Sequence, residues 1–287
     1  MNGDLLKLIE EKMPSFSKGQ RRIATYILEQ YDKAAYMTAS KLSEIVGVSE
    51  STVVRFAIEL GFEGYPDFQH SLQTLMRNRL TSFQRMEVSN QLIGEGNVLE
   101  KVLFSDAERI RHTLEITNRV SFDQAIDQIV NAENIYIVGV RSSSYLAGFL
   151  NYYLRMIFDR VKLLQSTSGS ELFEQLLPIR RGDVVIAISF PRYSKSVVHG
   201  VEFVKGRGAD IIAITDSSQS PIASAADQLL VAQSDMASFV DSLVAPMSII
   251  NAMIVALSRR KQEDLDRRLR ELEDVWDRYD VYDKKGN

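Results

Sequence analysis

No cysteine occurs among the 287 residues, which excludes disulfide staples, thiolate metal sites and a cysteine nucleophile. Histidine is almost as scarce. His70, His112 and His199 lie far apart in sequence and leave little from which to build a zinc site. No apolar run reaches about 18 residues without a charged or polar break, so no membrane-spanning helix is expected. The first residues lack the apolar core and small-residue cleavage site of a signal peptide, and a cytoplasmic location is the expectation. Positive charge is not in excess either. The chain carries 34 Lys+Arg against 38 Asp+Glu, a net of −4, which argues against wrapping nucleic acid over the whole surface. What is present is 45% apolar residues, enough for ordinary cores and against disorder. At roughly 100–200 residues per domain, the length predicts two domains.

The charge is uneven. Residues 1–90 hold 11 Lys/Arg and 11 Asp/Glu, whereas residues 91–287 hold 23 and 27. A neutral N-terminal third leaves room for a local basic patch, and Lys18, Arg21 and Arg22 fall within five residues. This third reads as all helix. Ile23, Ala24, Tyr26 and Ile27 follow at helical spacing behind Ser17, a candidate N-cap. Thr38 is placed to cap a short helix carrying Ala39, Leu42, Ile45 and Val46. Gly47 supplies a tight turn, and Ser49 is placed to cap a second helix. That helix buries Val53, Phe56, Ala57 and Leu60 and ends at Gly61. Thr52 stands where a capping box would have Glu or Gln.

Two short helices joined by a Gly-containing turn make a helix-turn-helix. The second begins Ser49-Glu50-Ser51-Thr52, followed by Val53-Val54-Arg55. Small hydrogen-bonding residues and one arginine suit a helix inserted end-first into a major groove. Backbone N–H groups and hydroxyls would meet phosphates, and Arg55 would reach phosphate or guanine. Lys18, Arg21 and Arg22 would add phosphate contacts. A plain helical hairpin with ordinary caps has the same spacing.

The stretches Phe16-Ser17-Lys18, Arg21–Ala24, Tyr26–Leu28, Gly47–Phe56 and Leu60–Phe68 resemble the N-terminal domain of the RpiR family of bacterial transcription regulators. The long Gly47–Phe68 string is the most specific of them. The resemblance implies a helical DNA-binding domain without a wing, acting as a dimer on duplex DNA, with a palindromic operator.

Beyond residue 77 the pattern changes. Residues 78–97 read as a linker, with Leu80–Leu92 partly helical and a Gly94-Glu95-Gly96-Asn97 end. Helical stretches follow at about 98–117 and 121–132. Strand runs then appear at 134–140, 161–164, 183–189, 210–215 and 228–232. Helical stretches at about 143–158, 168–177, 194–206 and 221–225 separate them. This alternation predicts an α/β domain with a parallel sheet covered by helices on both faces. Ligands on such sheets bind beyond the carboxyl ends of the strands.

The loop Gly139-Val-Arg-Ser-Ser-Ser144 opens a helix but is no dinucleotide fingerprint, having one glycine where three are wanted. A second loop, Ser189-Phe-Pro-Arg-Tyr-Ser-Lys195, also opens a helix. Hydroxyls and N–H groups at such ends can hold an anion, although a serine at a helix start is most often only a cap. Together with Ile214–Ala223, these loops make residues 98–262 resemble a SIS (sugar isomerase) domain. Such domains bind phosphosugars, and the resemblance implies that Ser143, Ser189 and Ser194 contact phosphate, with Ser142 beside them. Where that family usually has Gly this chain has Arg141, and where it usually has Ser-Gly it has Pro191-Arg192. Either these arginines grip a more anionic ligand, or they plug the pocket through internal ion pairs. The first is favoured because both stand beside retained serines.

The chain ends with an apolar helix expected over Phe239–Leu257, kinked or broken at Pro246, and a charged helix in 263–287. Leu265, Leu269, Leu272, Trp276 and Tyr279 step by a heptad-like 4, 3, 4 and 3. That seam faces either its own domain or another subunit. The reading is therefore a DNA-binding regulator that forms dimers or tetramers and responds to a sugar phosphate or sugar acid, with no cofactor and no metal. The rival is a sugar-phosphate isomerase with an appended helical domain. It would need a base, and His199 and Glu202 are the nearest candidates, at least a turn beyond the phosphate loop.

Overall fold

A computed structural model describes residues 5–79, 81–93, 96–165, 168–236 and 238–282. Two compact units emerge. The first comprises residues 1–98 together with Met236–Asp241, and the second holds Leu99–Asp235 and Ser242–Asn287.

The first unit is helical: α1 (Leu5–Lys12), α2 (Lys18–Glu29), α3 (Tyr31–Ala34), α4 (Ala39–Val46), α5 (Glu50–Glu59), α6 (Tyr65–Arg79) and α7 (Ser82–Ile93). Ser17 starts α2 with a complete capping box. Its hydroxyl accepts the Gln20 N–H, and the Gln20 side chain accepts the Ser17 N–H. Thr38 caps α4 by accepting the Lys41 N–H. The core gathers Ile23, Ile27, Leu42, Val53, Phe56 and Phe68 at full burial. Phe16, Phe56 and Phe68 stack with centroid separations of 5.1 and 5.7 Å. Ile45, expected inward, is 44% exposed, because Leu42 and Val46 already fill the narrow inner stripe of a two-turn helix. From α6, Tyr65 and Gln69 both donate to the Met37 carbonyl, which pins the chain before α4.

The second unit contains α8 (Val98–Ile116), α9 (Arg119–Asn131), α10 (Ser143–Ile157), α11 (Gly169–Leu176), α12 (Lys195–Gly206), α13 (Val244–Arg260) and α14 (Gln262–Arg278). Its strands are β1 (Ile135–Gly139), β2 (Val161–Leu164), β3 (Val184–Ile188), β4 (Asp210–Thr215) and β5 (Gln228–Val231). They form one parallel sheet in the order β2-β1-β3-β4-β5. The apolar runs of β1 and β3 are buried throughout, as a sheet covered on both faces requires. Alternate residues serve opposite cores. Ile135, Ile137, Ile186 and Ile212 meet α9, α10 and α13, whereas Tyr136, Val138, Val185 and Ile211 meet α11 and α12.

Two expectations fail near the C-terminus. The apolar run from Phe239 does not begin a helix there, since α13 starts at Val244 and Met236 bridges Asp241. Pro246 consequently falls in the first turn, where its missing N–H removes no intrahelical bond, and α13 continues unbroken to Arg260. The expected helix at 221–225 is only a short 3-10 turn, Ala223–Ala225. The Leu265, Leu269, Leu272 and Trp276 seam is half-buried. Leu265 packs on the core of the second unit, and Arg268 donates to the Arg155 and Met156 carbonyls of α10.

Candidate functional site

The turn between α4 and α5 is built on Gly47, which holds φ +69°, a left-handed backbone that a side chain would strain. Gly47 and Val48 both donate to the Ser43 carbonyl and close α4. Arg22, from α2, donates to the Gly47 carbonyl at 3.0 Å. A Cβ on Gly47 would lie 2.9 Å from that guanidinium, so the turn and α2 are fitted to each other. One turn earlier, a Cβ on Gly19 would meet the Thr52 methyl at 3.3 Å. The N-termini of α2 and α5 therefore stand side by side, and both present the positive ends of helix dipoles.

On this face Lys18, Arg21, Arg22, Ser49, Glu50, Ser51 and Arg55 are exposed and Thr52 is half-buried. Arg21 donates to the Pro14 carbonyl at 2.9 Å. Arg55 donates to the Ser51 carbonyl one turn back, at 3.2 Å, so its side chain lies along the start of α5. A groove beside α2 is lined by Lys18, Arg21, Arg22 and Thr25, and also by Glu29. Ser49 holds the N-cap position, but its hydroxyl makes no cap bond. It lies 2.9 Å from the Ser51 hydroxyl and 2.8 Å from that of Thr52. The expected side-chain cap is thus replaced by a cluster of three hydroxyls, because two neighbours compete for the same oxygen.

In the second unit, β1 and β3 are adjacent, with Gly139 opposite Ile188. The sheet order runs one way from β1 to β2 and the other way from β3 to β5. This is the switch point at which open α/β sheets bind ligands. Ser142 and Ser143 follow β1 and open α10, while Ser189 and Ser194 follow β3 and precede α12. Gly139 allows α10 to sit close, since a Cβ there would be 2.6 Å from the Ser143 carbonyl oxygen.

Ser143 and Ser189 are only 5% and 4% exposed, and neither hydroxyl has a hydrogen-bond partner among the described residues. Ser142 is exposed and starts α10 without a side-chain cap bond. The Ser194 hydroxyl lies 2.8 Å from that of Ser196. Arg141 and Arg192 are exposed. Their backbones are left-handed, with φ +56° and +66°.

One group escaped the sequence reading. Asp216, just beyond β4, accepts a hydrogen bond from Tyr193 at 2.6 Å and another from Thr215 at 3.2 Å. Its only sequence signal is a position immediately after a strand end. His199 and Glu202 are exposed on α12, one and two turns beyond Ser194. No cluster of three or more metal-ligating side chains occurs among the described residues, and no helix there is long and apolar enough to cross a membrane.

Residues 3–79 match the helix-turn-helix domain of the rpiR family, and residues 128–256 match the SIS domain. The chain is 25% identical over 282 residues to an uncharacterized HTH-type transcriptional regulator of Caldanaerobacter subterraneus, covering 95% of this chain and 96% of that one. Among solved structures, the Vibrio vulnificus NanR protein complexed with ManNAc-6P is 23% identical with a TM-score of 0.59. That match covers 95% of this chain and 98% of NanR. The sugar isomerase domain of an RpiR transcription factor from Sphaerobacter thermophilus is 29% identical with a TM-score of 0.58. It covers 60% of this chain and 96% of that domain.

Proposed function

Because the chain belongs to the rpiR family of helix-turn-helix transcription regulators that carry a SIS domain, we propose that it binds duplex DNA sequence-specifically through α5. We propose further that a sugar phosphate or sugar acid held in the SIS domain sets that affinity. In this reading DNA recognition belongs to residues 1–77, a linker to 78–97, effector binding to 98–262 and the charged helix to 263–287. The observation that carries the DNA reading is the pairing of two helix N-termini beside exposed Lys18, Arg21, Arg22 and Arg55. Lys18, Arg21 and Arg22 take phosphates. Arg55 reads a base edge, with Ser49, Glu50, Ser51 and Thr52 at the groove floor.

The effector occupies the β1/β3 switch point. Ser143 and Ser189 offer buried hydroxyls with no protein partner among the described residues, and Ser142 and Ser194 complete the cradle at two helix starts. Arg141 and Arg192 add positive charge at its rim. The NanR relative, of like fold, is solved with ManNAc-6P, a ligand of this class. An isomerase would need a base at the pocket, and the exposed His199 and Glu202 give no support to that role.

The protein is proposed to act in the cytoplasm as a dimer or tetramer. One helix-turn-helix covers one half-site, so two copies match a palindromic operator. The long α8 helix leaves Leu99, Leu103, Phe104 and Leu114 exposed, an apolar stripe suited to self-association. The test is selection of genomic fragments by the purified protein, followed by anisotropy titration of the enriched sequence with and without added phosphosugars. Enrichment of no sequence would overturn the DNA reading. An operator affinity indifferent to every phosphosugar and sugar acid would overturn the effector reading.

A further inference from the structure

Only three non-glycine residues among those described have a left-handed backbone, and two of them are Arg141 and Arg192. Both follow the two strands that flank the switch point, β1 and β3. A side chain in this conformation carries a steric cost that glycine escapes. Such cost persists where the surroundings hold it in place, and it concentrates at ligand clamps. The loops keep a backbone shape that suits glycine while displaying the largest cationic side chain.

The plug alternative requires internal ion pairs. Arg141 is exposed and makes no ion pair with any described residue. Arg192 is likewise exposed. Strands so paired run about 4.8 Å apart, so two guanidinium groups project from neighbouring loops. Like charges held this close repel, and an anion between them relieves the repulsion. Asp216, the acidic group at the next strand end, is occupied by Tyr193 and Thr215.

We propose that Arg141 and Arg192 form a second anion subsite, and that the effector is therefore a phosphorylated sugar bearing a second anionic group, a carboxylate or another phosphate. This rests on the reading of the switch point as a phosphosugar pocket. The buried hydroxyls of Ser143 and Ser189 would hold the first phosphate, and the arginines would select for the second anion.

Calorimetry on the full chain compares 6-phosphogluconate, fructose 1,6-bisphosphate, glucose 6-phosphate and gluconate. At least one probe with two anionic groups is expected to bind about tenfold or more tighter than glucose 6-phosphate. The winning probe tells carboxylate from phosphate. The double variant Arg141→Gly/Arg192→Gly should bind that probe no tighter than the unaltered protein binds glucose 6-phosphate. It should also melt at a higher temperature, because glycine relieves the left-handed backbone. The charge-removing pair Arg141→Gln/Arg192→Gln should lose the same preference without that rise. Binding of glucose 6-phosphate with no preference for a second anion would overturn this inference alone, as would a double glycine variant that keeps the preference. Binding of none of the four probes would overturn the phosphosugar pocket and this inference with it.

Discussion

At the residue scale, single side chains carry separable duties. Arg55→Ala is expected to weaken operator binding by roughly 1–3 kcal/mol while leaving non-specific binding nearly intact, as for a lost base contact. Competition titrations against random duplex measure the difference. Arg21→Ala/Arg22→Ala should instead weaken all sequences alike. The slope of log affinity against log salt should fall by about 2 in magnitude, roughly 0.9 per phosphate contact. Arg22 has a second duty, because it donates to the Gly47 carbonyl. Arg22→Ala is therefore expected to lower the melting temperature, which Lys18→Ala should not do. Gly139→Ala forces a Cβ against the Ser143 carbonyl oxygen. It should cost about 1–3 kcal/mol of stability and weaken effector binding by shifting the start of α10. The sequence showed which residues were polar at the start of α5. It could not show that Ser49 spends its hydroxyl on Ser51 and Thr52, because that choice depends on rotamers set by the neighbouring helix.

At the scale of elements, α6 and α7 show how polar groups lock helices in place. Burial pushes the Tyr65 phenol up to about 12 from 10, and its hydroxyl donates to the Met37 carbonyl. A raised pKa means that the unfolded chain loses this proton first. The contribution is therefore complete below pH 10 and is lost as the pH climbs toward 12, a swing of roughly 2–3 kcal/mol. Tyr65→Phe should flatten that alkaline decline relative to the unaltered protein, at a neutral-pH cost of about 1 kcal/mol for the lost bond. Melts taken between pH 8 and 12 give the comparison. Arg85 of α7 is 1% exposed and faces both oxygens of Asp241 at 3.1 Å. Arg85→Ala strands a shielded carboxylate and is expected to cost roughly 3–5 kcal/mol, read by urea denaturation. Asp241→Asn added to that variant should recover part of the loss, since no charge is then left behind. Nothing in the sequence joined positions 85 and 241, and the run 239–243 was apolar enough to pass for helix. The five strands were legible because long β-branched runs bounded by polar turns have few other uses. Their ends moved by no more than a residue or so.

At the scale of the whole molecule, coupling and assembly are the open quantities. If an effector changes operator affinity by some factor, linkage requires the operator to change effector affinity by the same factor. Calorimetry of the effector with and without bound operator should return equal coupling in both directions, and unequal values would mean that a further species, such as a higher oligomer, takes part. Self-association is expected to draw on α8 rather than on α13, whose Ile249, Ile250, Met253 and Leu257 are committed to their own core. Leu103→Glu/Leu114→Glu should shift sedimentation toward the monomer and weaken operator binding. Unchanged sedimentation would move the contact elsewhere.

What the sequence alone determined is the class of each half and the register of its main elements. Apolar periodicity, caps and turn glycines are local, and they read as a helix-turn-helix followed by alternating strands and helices. The absences settled nearly as much, since a chain without cysteine and with three scattered histidines has few ways to assemble a metal centre. Tertiary structure decided what proximity decides. It set the order β2-β1-β3-β4-β5 and so brought the Ser142–Ser143 and Ser189–Ser194 loops to adjacent strand ends. It placed the start of α2 against the start of α5, turned the Leu265–Trp276 seam toward its own unit, and left the α8 stripe bare. It also gave Arg141 and Arg192 their left-handed backbones, which residue identity argues against. Contacts between residues far apart in sequence depend on the packing of the whole chain, and no local pattern encodes them.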